Sequence, residues 1–230
     1  MGTNSVISLD AMSGDLGAEV IKIEPPEGDG NRYGTGVGYN LPMPSGLTAT
    51  TAGTQFVACN RGKKSIAIDL KTAPMAGRIM KRLIESADVF ITNMREVALT
   101  RMTFDMEDGS SFNLGYESMC SVNPRIVYGA TNGFGPVGPL AEKKMFDGAA
   151  QSKGGIVSVT GHSDGPPIMP GATIGDTAGA MQLALGVMSA LLARERFGVG
   201  QKVNTSSYGA QLLLQRWELT QTALTGHEMT

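Results

Sequence analysis

A chain of 230 residues with 41% apolar residues and a formal charge of −2 is long enough to bury a sizeable core and too apolar to remain disordered. Nineteen Lys and Arg against 21 Asp and Glu form no dense basic stripe beyond the local cluster Asn60-Arg61-Gly62-Lys63-Lys64, which argues against nucleic acid as the main partner. Cys59, Cys120, His162 and His227 are too few and too far apart for a disulfide framework or a metal centre, so no metal is expected.

The N-terminus has no basic region followed by an apolar core, and the longest apolar run, Met181 to Ala193, is broken by Gln182, Gly186 and Ser189 and is too short for a bilayer. The expectation is a soluble cytoplasmic protein with reduced thiols and no membrane partner. Along the chain, Val6–Leu9, Val20–Ile23, Ser65–Ile68, Asp88–Ile91 and Arg125–Tyr128 are short β-rich runs. Between them Ala73 to Ala87 carries Met75, Ile79, Met80, Leu83 and Ile84 on one side and Arg78, Lys81 and Arg82 on the other, the period of an amphipathic helix. Strand, helix, strand order predicts an α/β fold with a Rossmann-like, mostly parallel sheet flanked by helices. Ligands in such sheets bind at the carboxyl ends of strands, which singles out three loops. The first, after Ile23, is Glu24-Pro-Pro-Glu-Gly-Asp-Gly-Asn-Arg32, whose Arg32 suits a phosphate; the second holds Asn93, Met94 and Arg95; the third, Thr131 to Pro139, is dense in Gly and Pro. Residues 33–58 lack periodicity and are expected to form an irregular connection.

The stretch Gly165-Pro-Pro-Ile-Met-Pro-Gly-Ala-Thr-Ile-Gly-Asp176 then runs into an apolar segment ending at Lys202. It presents one carboxylate at a helix start among small residues, so Asp176 is a candidate nucleophile toward an activated acyl group. Asp is also a favoured N-cap, and the alternative is a capped core helix over Thr177–Arg196.

Five ordered segments, Asp15 to Pro26, Asn60 to Lys71, Asn113 to Tyr116, Val122 to Tyr128 and Gly133 to Pro139, resemble the family III CoA-transferases of the CaiB/BaiF type, which include formyl-CoA transferases. The resemblance continues through Phe146-Asp-Gly-Ala-Ala-Gln151, Val159-Thr-Gly161, Gly165-Pro-Pro167, Gly175-Asp176 and Gly198-Val-Gly-Gln201. It implies CoA transfer from an acyl-CoA to a small carboxylic acid, with coenzyme A entering as acyl-CoA substrate and Asp176 carrying an aspartyl-CoA thioester. It further implies catalytic places for Asp147 and Gln151 and a CoA site built from Arg32, Asn60, Arg61, Lys63, Lys64, Asn93, Met94 and Arg95. For Lys63 and Lys64 the alternative is a solvated face, for Asp147 a charge at a helix start, and for Gln151 a local cap. Met94 stands where relatives place an aromatic residue. Phe146 stands where relatives that racemise 2-methylacyl-CoA esters place His, and Phe transfers no proton, so racemase action is disfavoured. Met145, Phe146 and Met169 point to a fairly apolar pocket. No Gly-x-Gly-x-x-Gly follows the first strand, so the fold does not imply a nicotinamide cofactor.

The chain also departs from the family. Only Ala11-Met-Ser-Gly14 separates Asp10 from Asp15, where relatives have a full helix, so Val6–Leu9 and Val20–Ile23 are not expected to be neighbouring parallel strands. Residues Thr103 to Phe112, with Asp105, Glu107 and Asp108, read as an acidic surface insertion without a role. Relatives are nearly twice as long. Residues 1–205 are therefore expected to form the CoA-binding large domain and 206–230 a C-terminal helix and linker, with Tyr208 to Thr225 helical, leading toward an absent small domain. A homodimer, or a partner chain supplying the missing half, is the expected assembly. A truncated, non-catalytic CoA-binding or interaction module is the alternative function.

Overall fold

The computed structural model describes residues 13–33, 53–71 and 75–228. The predicted strand Val6–Leu9 and residues 34–52 of the predicted irregular connection lie outside them. Among the described residues the fold is mixed α/β with mostly parallel sheets, as the strand, helix, strand order implied. Strand β1 (Ile21–Glu24) pairs in parallel with β2 (Lys64–Ala67), with Ile23 opposite Ile66. The larger sheet has the order β3 (Val89–Thr92), β6 (Val127–Asn132), β7 (Lys202–Ser206), again parallel.

Strand β6 is central and buried on both faces, and its alternation divides the core. Val127 faces one layer with Ala180, Leu183, Val187 and Ala190. Its neighbours Ile126 and Tyr128 face the other, with Met80, Ile84, Leu99 and Met119. The second layer also receives Ile23 and Ile66, which ties the β1–β2 pair to the same core. Helix α2 (Ala76–Ser86) supplies Met80 and Ile84 from the apolar face legible in the sequence.

Three elements depart from expectation. Thr103 to Phe112, read only as an acidic surface insertion, has structure of its own: β4 (Thr103–Asp105) and β5 (Ser111–Asn113) form an antiparallel hairpin. Phe112 is buried, Phe104 stacks on it at 6.3 Å between ring centres, and Glu107 pairs with Arg78 of α2. The signal was one aromatic at the centre of each strand, Phe104 and Phe112, masked by the acidic turn between them. The last residues of the connection read as irregular belong to helix α1 (Thr54–Asn60). Strand β7, Lys-Val-Asn-Thr-Ser, is too polar to stand out and is recruited by backbone pairing along β6.

Two short helices, α3 (Glu96–Arg101) and α4 (Tyr116–Val122), cover the second layer, while α5 (Asp147–Gly154) and α6 (Ile174–Phe197) bracket the loop between them. Helix α6 lays Leu183 and Val187 on the sheet, and at its far end buried Arg194 donates to the Asp88 carbonyl and carboxylate at the start of β3 and to the Arg125 carbonyl ahead of β6. Its outward face exposes Met181, Leu185, Met188 and Leu192. By length and composition alone α6 is long and apolar enough to cross a membrane, although the run Met181 to Ala193 is too short; the extra turns come from residues on either side of that run. The single helix expected over Tyr208–Thr225 is two, α7 (Ser207–Leu214) and α8 (Arg216–Thr225), parted at Gln215, whose buried amide donates to the carbonyls of Gly154 and Gln211. Helix α7 packs on α5 and α6, whereas α8 buries no residue.

Candidate active site

The first turns of α5 and α6 meet. Helix α6 begins at Ile174, so Asp176 is its third residue rather than its N-cap, and it is 4% exposed. The cap residue, Thr173, makes no side-chain capping bond. A carboxylate from the neighbouring helix does that work: Asp147 Oδ1 accepts the backbone N–H of Asp176 at 3.1 Å. Asp147 is itself the first residue of α5, where a negative charge is favoured by the helix dipole. The buried amide of Gln151, one turn on, donates to Asp147 Oδ2 at 2.6 Å and to the Ala172 carbonyl at 3.1 Å. Asp147, Gln151 and Asp176, singled out separately in the sequence, are thus one hydrogen-bonded unit.

Gly175 makes the close approach possible. A Cβ there would lie 2.9 Å from Ala150 Cβ and 3.0 Å from Asp147 Oδ1, so the Gly-Asp pair of the motif reads as a steric requirement followed by a carboxylate. The Ala172 carbonyl and Gly175 are site elements the sequence reading did not assign. Phe146 is the cap residue of α5 and 66% exposed. Met169 is also exposed, and its Sδ and Cε lie 3.3 Å from where a Cβ on Gly148 would stand, over the first turn of α5. Met145, by contrast, is buried against Gly133 and faces away from solvent, so it belongs to the core rather than to the apolar pocket expected of it.

The predicted nucleotide-binding residues fall into two further groups. Around β1 and β2, buried Glu24 accepts from Arg32 Nε at 2.8 Å and Nη2 at 2.7 Å, from the Asp29 amide at 2.9 Å and from the Ser65 hydroxyl at 2.9 Å. The Arg32 guanidinium first, then the Asp29 amide, Ser65 and the Lys22 charge, hold the Glu24 carboxyl at about 2 despite its desolvation. Arg32 also lies 4.1 Å over the Phe56 ring. Asn60 Oδ1 accepts from Lys22 at 3.0 Å and from Lys63 at 3.2 Å. The outer cations are exposed ion pairs: Arg61 with Asp15, whose carboxyl it holds below its ordinary range, and Lys64 with Glu19 at 2.9 Å. Asn93, Met94 and Arg95 follow β3 at the carboxyl edge of the larger sheet. The Met94 amide donates to Thr92 Oγ1 at 3.1 Å, and Arg95 reaches the Glu142 carbonyl at 3.2 Å and carboxylate at 3.4 Å. Met94 and Arg95, with Tyr128, Thr131 and Lys202, border a cavity of about 30 Å³, room for water and far too little for a nucleotide. Burial pushes the Tyr128 hydroxyl up, so it stays protonated and donates to the Leu114 carbonyl.

The sequence profile described as CoA-transferase family III matches residues 10–230. Formyl-CoA:oxalate CoA-transferase of Escherichia coli O6:H1 is 34% identical over 219 residues, covering 95% of this chain and 48% of its own. Acetyl-CoA:oxalate CoA-transferase of Acetobacter aceti is 35% identical over 215 residues, covering 92% of this chain and 49% of its own. The crystal structure of a CAIB/BAIF family protein from Brucella suis superposes with a TM-score of 0.82 at 30% identity, covering 96% of this chain and 54% of that one. The chain thus spans about half the length of the curated relatives it matches.

Proposed function

The chain belongs to CoA-transferase family III, and from that premise we propose that it moves CoA between an acyl-CoA donor and a carboxylic acid acceptor, with Asp176 holding the CoA in between. The observation that carries this reading is the cradle at the α5–α6 junction, where a buried carboxylate sits in the first turn of a long helix whose N–H is held by Asp147. A carboxylate oxygen of Asp176 attacks the thioester carbonyl, the C–S bond breaks, and a mixed anhydride and CoA thiolate result. The thiolate attacks the Asp176 carbonyl, breaking the anhydride C–O bond, releasing the donor acid and leaving an aspartyl-CoA thioester. The acceptor carboxylate runs the same steps backward and frees Asp176. Each step exchanges one activated acyl bond for another, so the chemistry asks for a nucleophile, the role given to Asp176, and for oxyanion donors. Asp147 and Gln151 act as positioning residues, since their hydrogen bonds run to the Asp176 amide and to each other.

The nucleotide end of CoA suits the exposed cations. Arg61 and Lys64 sit in exposed, water-screened ion pairs, so a phosphate replaces Asp15 or Glu19 at little cost. Arg32, clamped by Glu24, and Asn60, bridging two lysines, hold the β1 loop in shape, with Lys63 beside them; Asn93, Met94 and Arg95 border the sheet edge. The division at residue 205, and completion of the site by a second copy or a partner chain, belong to the same proposal. Exposed Phe146 leaves its position without an acid or base, which weighs against a racemase. A second reading is a non-catalytic CoA-binding module.

Peptide mass spectrometry after incubation with a panel of acyl-CoAs and borohydride trapping separates the two. A product confined to Asp176 and absent in Asp176→Ala is the expected result. Absence of any adduct from a chain that retains CoA binding would overturn the transferase reading and leave the binding module.

A further inference from the structure

Between α5 and α6 the chain runs Pro166-Pro-Ile-Met-Pro-Gly-Ala172, seven consecutive residues without a charged or hydrogen-bonding side chain. Pro and Gly make such a run a surface loop, and its two large apolar side chains, Ile168 and Met169, are 46% and 51% exposed. The loop is fastened at both ends. Gln151 holds the Ala172 carbonyl, Ile168 lies against Gly161, and Met169 rests over Gly148 in the first turn of α5. Phe146, 66% exposed, caps that same turn, one residue from Asp147. Three large apolar side chains therefore stand in water on the first turn of α5 and the loop that leads to α6, Met169 and Ile168 resting against Gly148 and Gly161.

We infer that the acyl group handled at this site is aliphatic, and that Phe146, Ile168 and Met169 form the wall it packs against. The inference rests on reading Asp176 as the acyl-CoA site. Burying an alkyl chain on these side chains removes apolar area from water on both partners, whereas a second carboxylate in the same place would need cations or several N–H donors, and residues 166–172 offer no side chain for either purpose. Methionine and a proline-stiffened backbone add an adaptable surface on a loop with little entropy left to lose.

The test is calorimetric titration of the full chain with non-cleavable S-alkyl-CoA thioethers from methyl to butyl, and with S-carboxymethyl-CoA, which needs no turnover. Affinity is expected to rise about four-fold per methylene and to be weakest for the carboxylate. In Met169→Gln and Phe146→Ser the gain per methylene is expected to fall toward one-fold. A flat series, tighter binding of the carboxylate, a slope unchanged in both variants, or no binding of any thioether overturns the inference. The two readings fail separately: a flat series from a protein that still forms the Asp176 adduct removes the aliphatic wall alone, and a rising series without adduct removes the transferase reading alone.

Discussion

Asp147 is worth more to this site than its place at a helix start implied, because its two oxygens serve two different helices. Asp147→Ala is expected to cost about 1 kcal/mol in urea unfolding, the usual loss for a removed cap, and on the transferase reading to lower kcat at least ten-fold with a smaller change in KM. Asp147→Asn keeps an acceptor oxygen for the Asp176 amide, so it is expected to recover most of the stability and to isolate the effect of the charge. Gly175→Ala forces its new Cβ against Ala150 and Asp147 and is expected to destabilise by about 1–3 kcal/mol, read in the same experiment. Glu24 governs acid sensitivity. Its carboxyl lies at about 2 when folded against an ordinary 4.5, so the stabilisation, on the order of 3 kcal/mol, is complete above about pH 4.5 and is lost as the pH falls toward 2. Glu24→Gln should flatten that part of an acid titration followed by near-ultraviolet circular dichroism. Arg61→Ala, removing one exposed ion pair, is expected to weaken CoA binding several-fold in calorimetry while leaving the melting temperature within a degree or two.

At the scale of elements, legibility followed burial pattern. Helix α2 and strands β1, β2, β3 and β6 were readable because each carries apolar or β-branched residues in a recognisable local pattern. Strand β7 was not, since Lys202, Asn204 and Thr205 owe their conformation to hydrogen bonds along β6 rather than to composition. The hairpin β4–β5 was hidden for a related reason: strands of three residues have too little length for a period, and its acidic turn dominates the local composition. The start of α6 was misplaced by three residues because Asp176 looks like a cap, and the residue that caps it, Asp147, lies 29 positions away. The Asp147–Gln151–Asp176 unit was therefore legible as residues and illegible as an arrangement.

Across the whole molecule, stability is distributed unevenly. The three-stranded sheet and the inner face of α6 hold the buried layer around Val127 and Leu183, whereas α8 buries no residue. Amide hydrogen exchange is expected to be slowest in β6 and central α6 and fastest in α8, by several orders of magnitude; protection of α8 equal to that of β6 would contradict this distribution. The amino-acid sequence by itself determined the family and the α/β class, and offered Asp176 as a candidate nucleophile, because ordered motifs and hydrophobic period are properties of the chain. Only the tertiary structure decided which groups serve one another: that Asp147 from one helix caps another, that Glu24 claims Arg32, that Met145 turns inward while Phe146 and Met169 turn out. Those outcomes depend on distances between residues remote in sequence, which packing sets and no local pattern encodes.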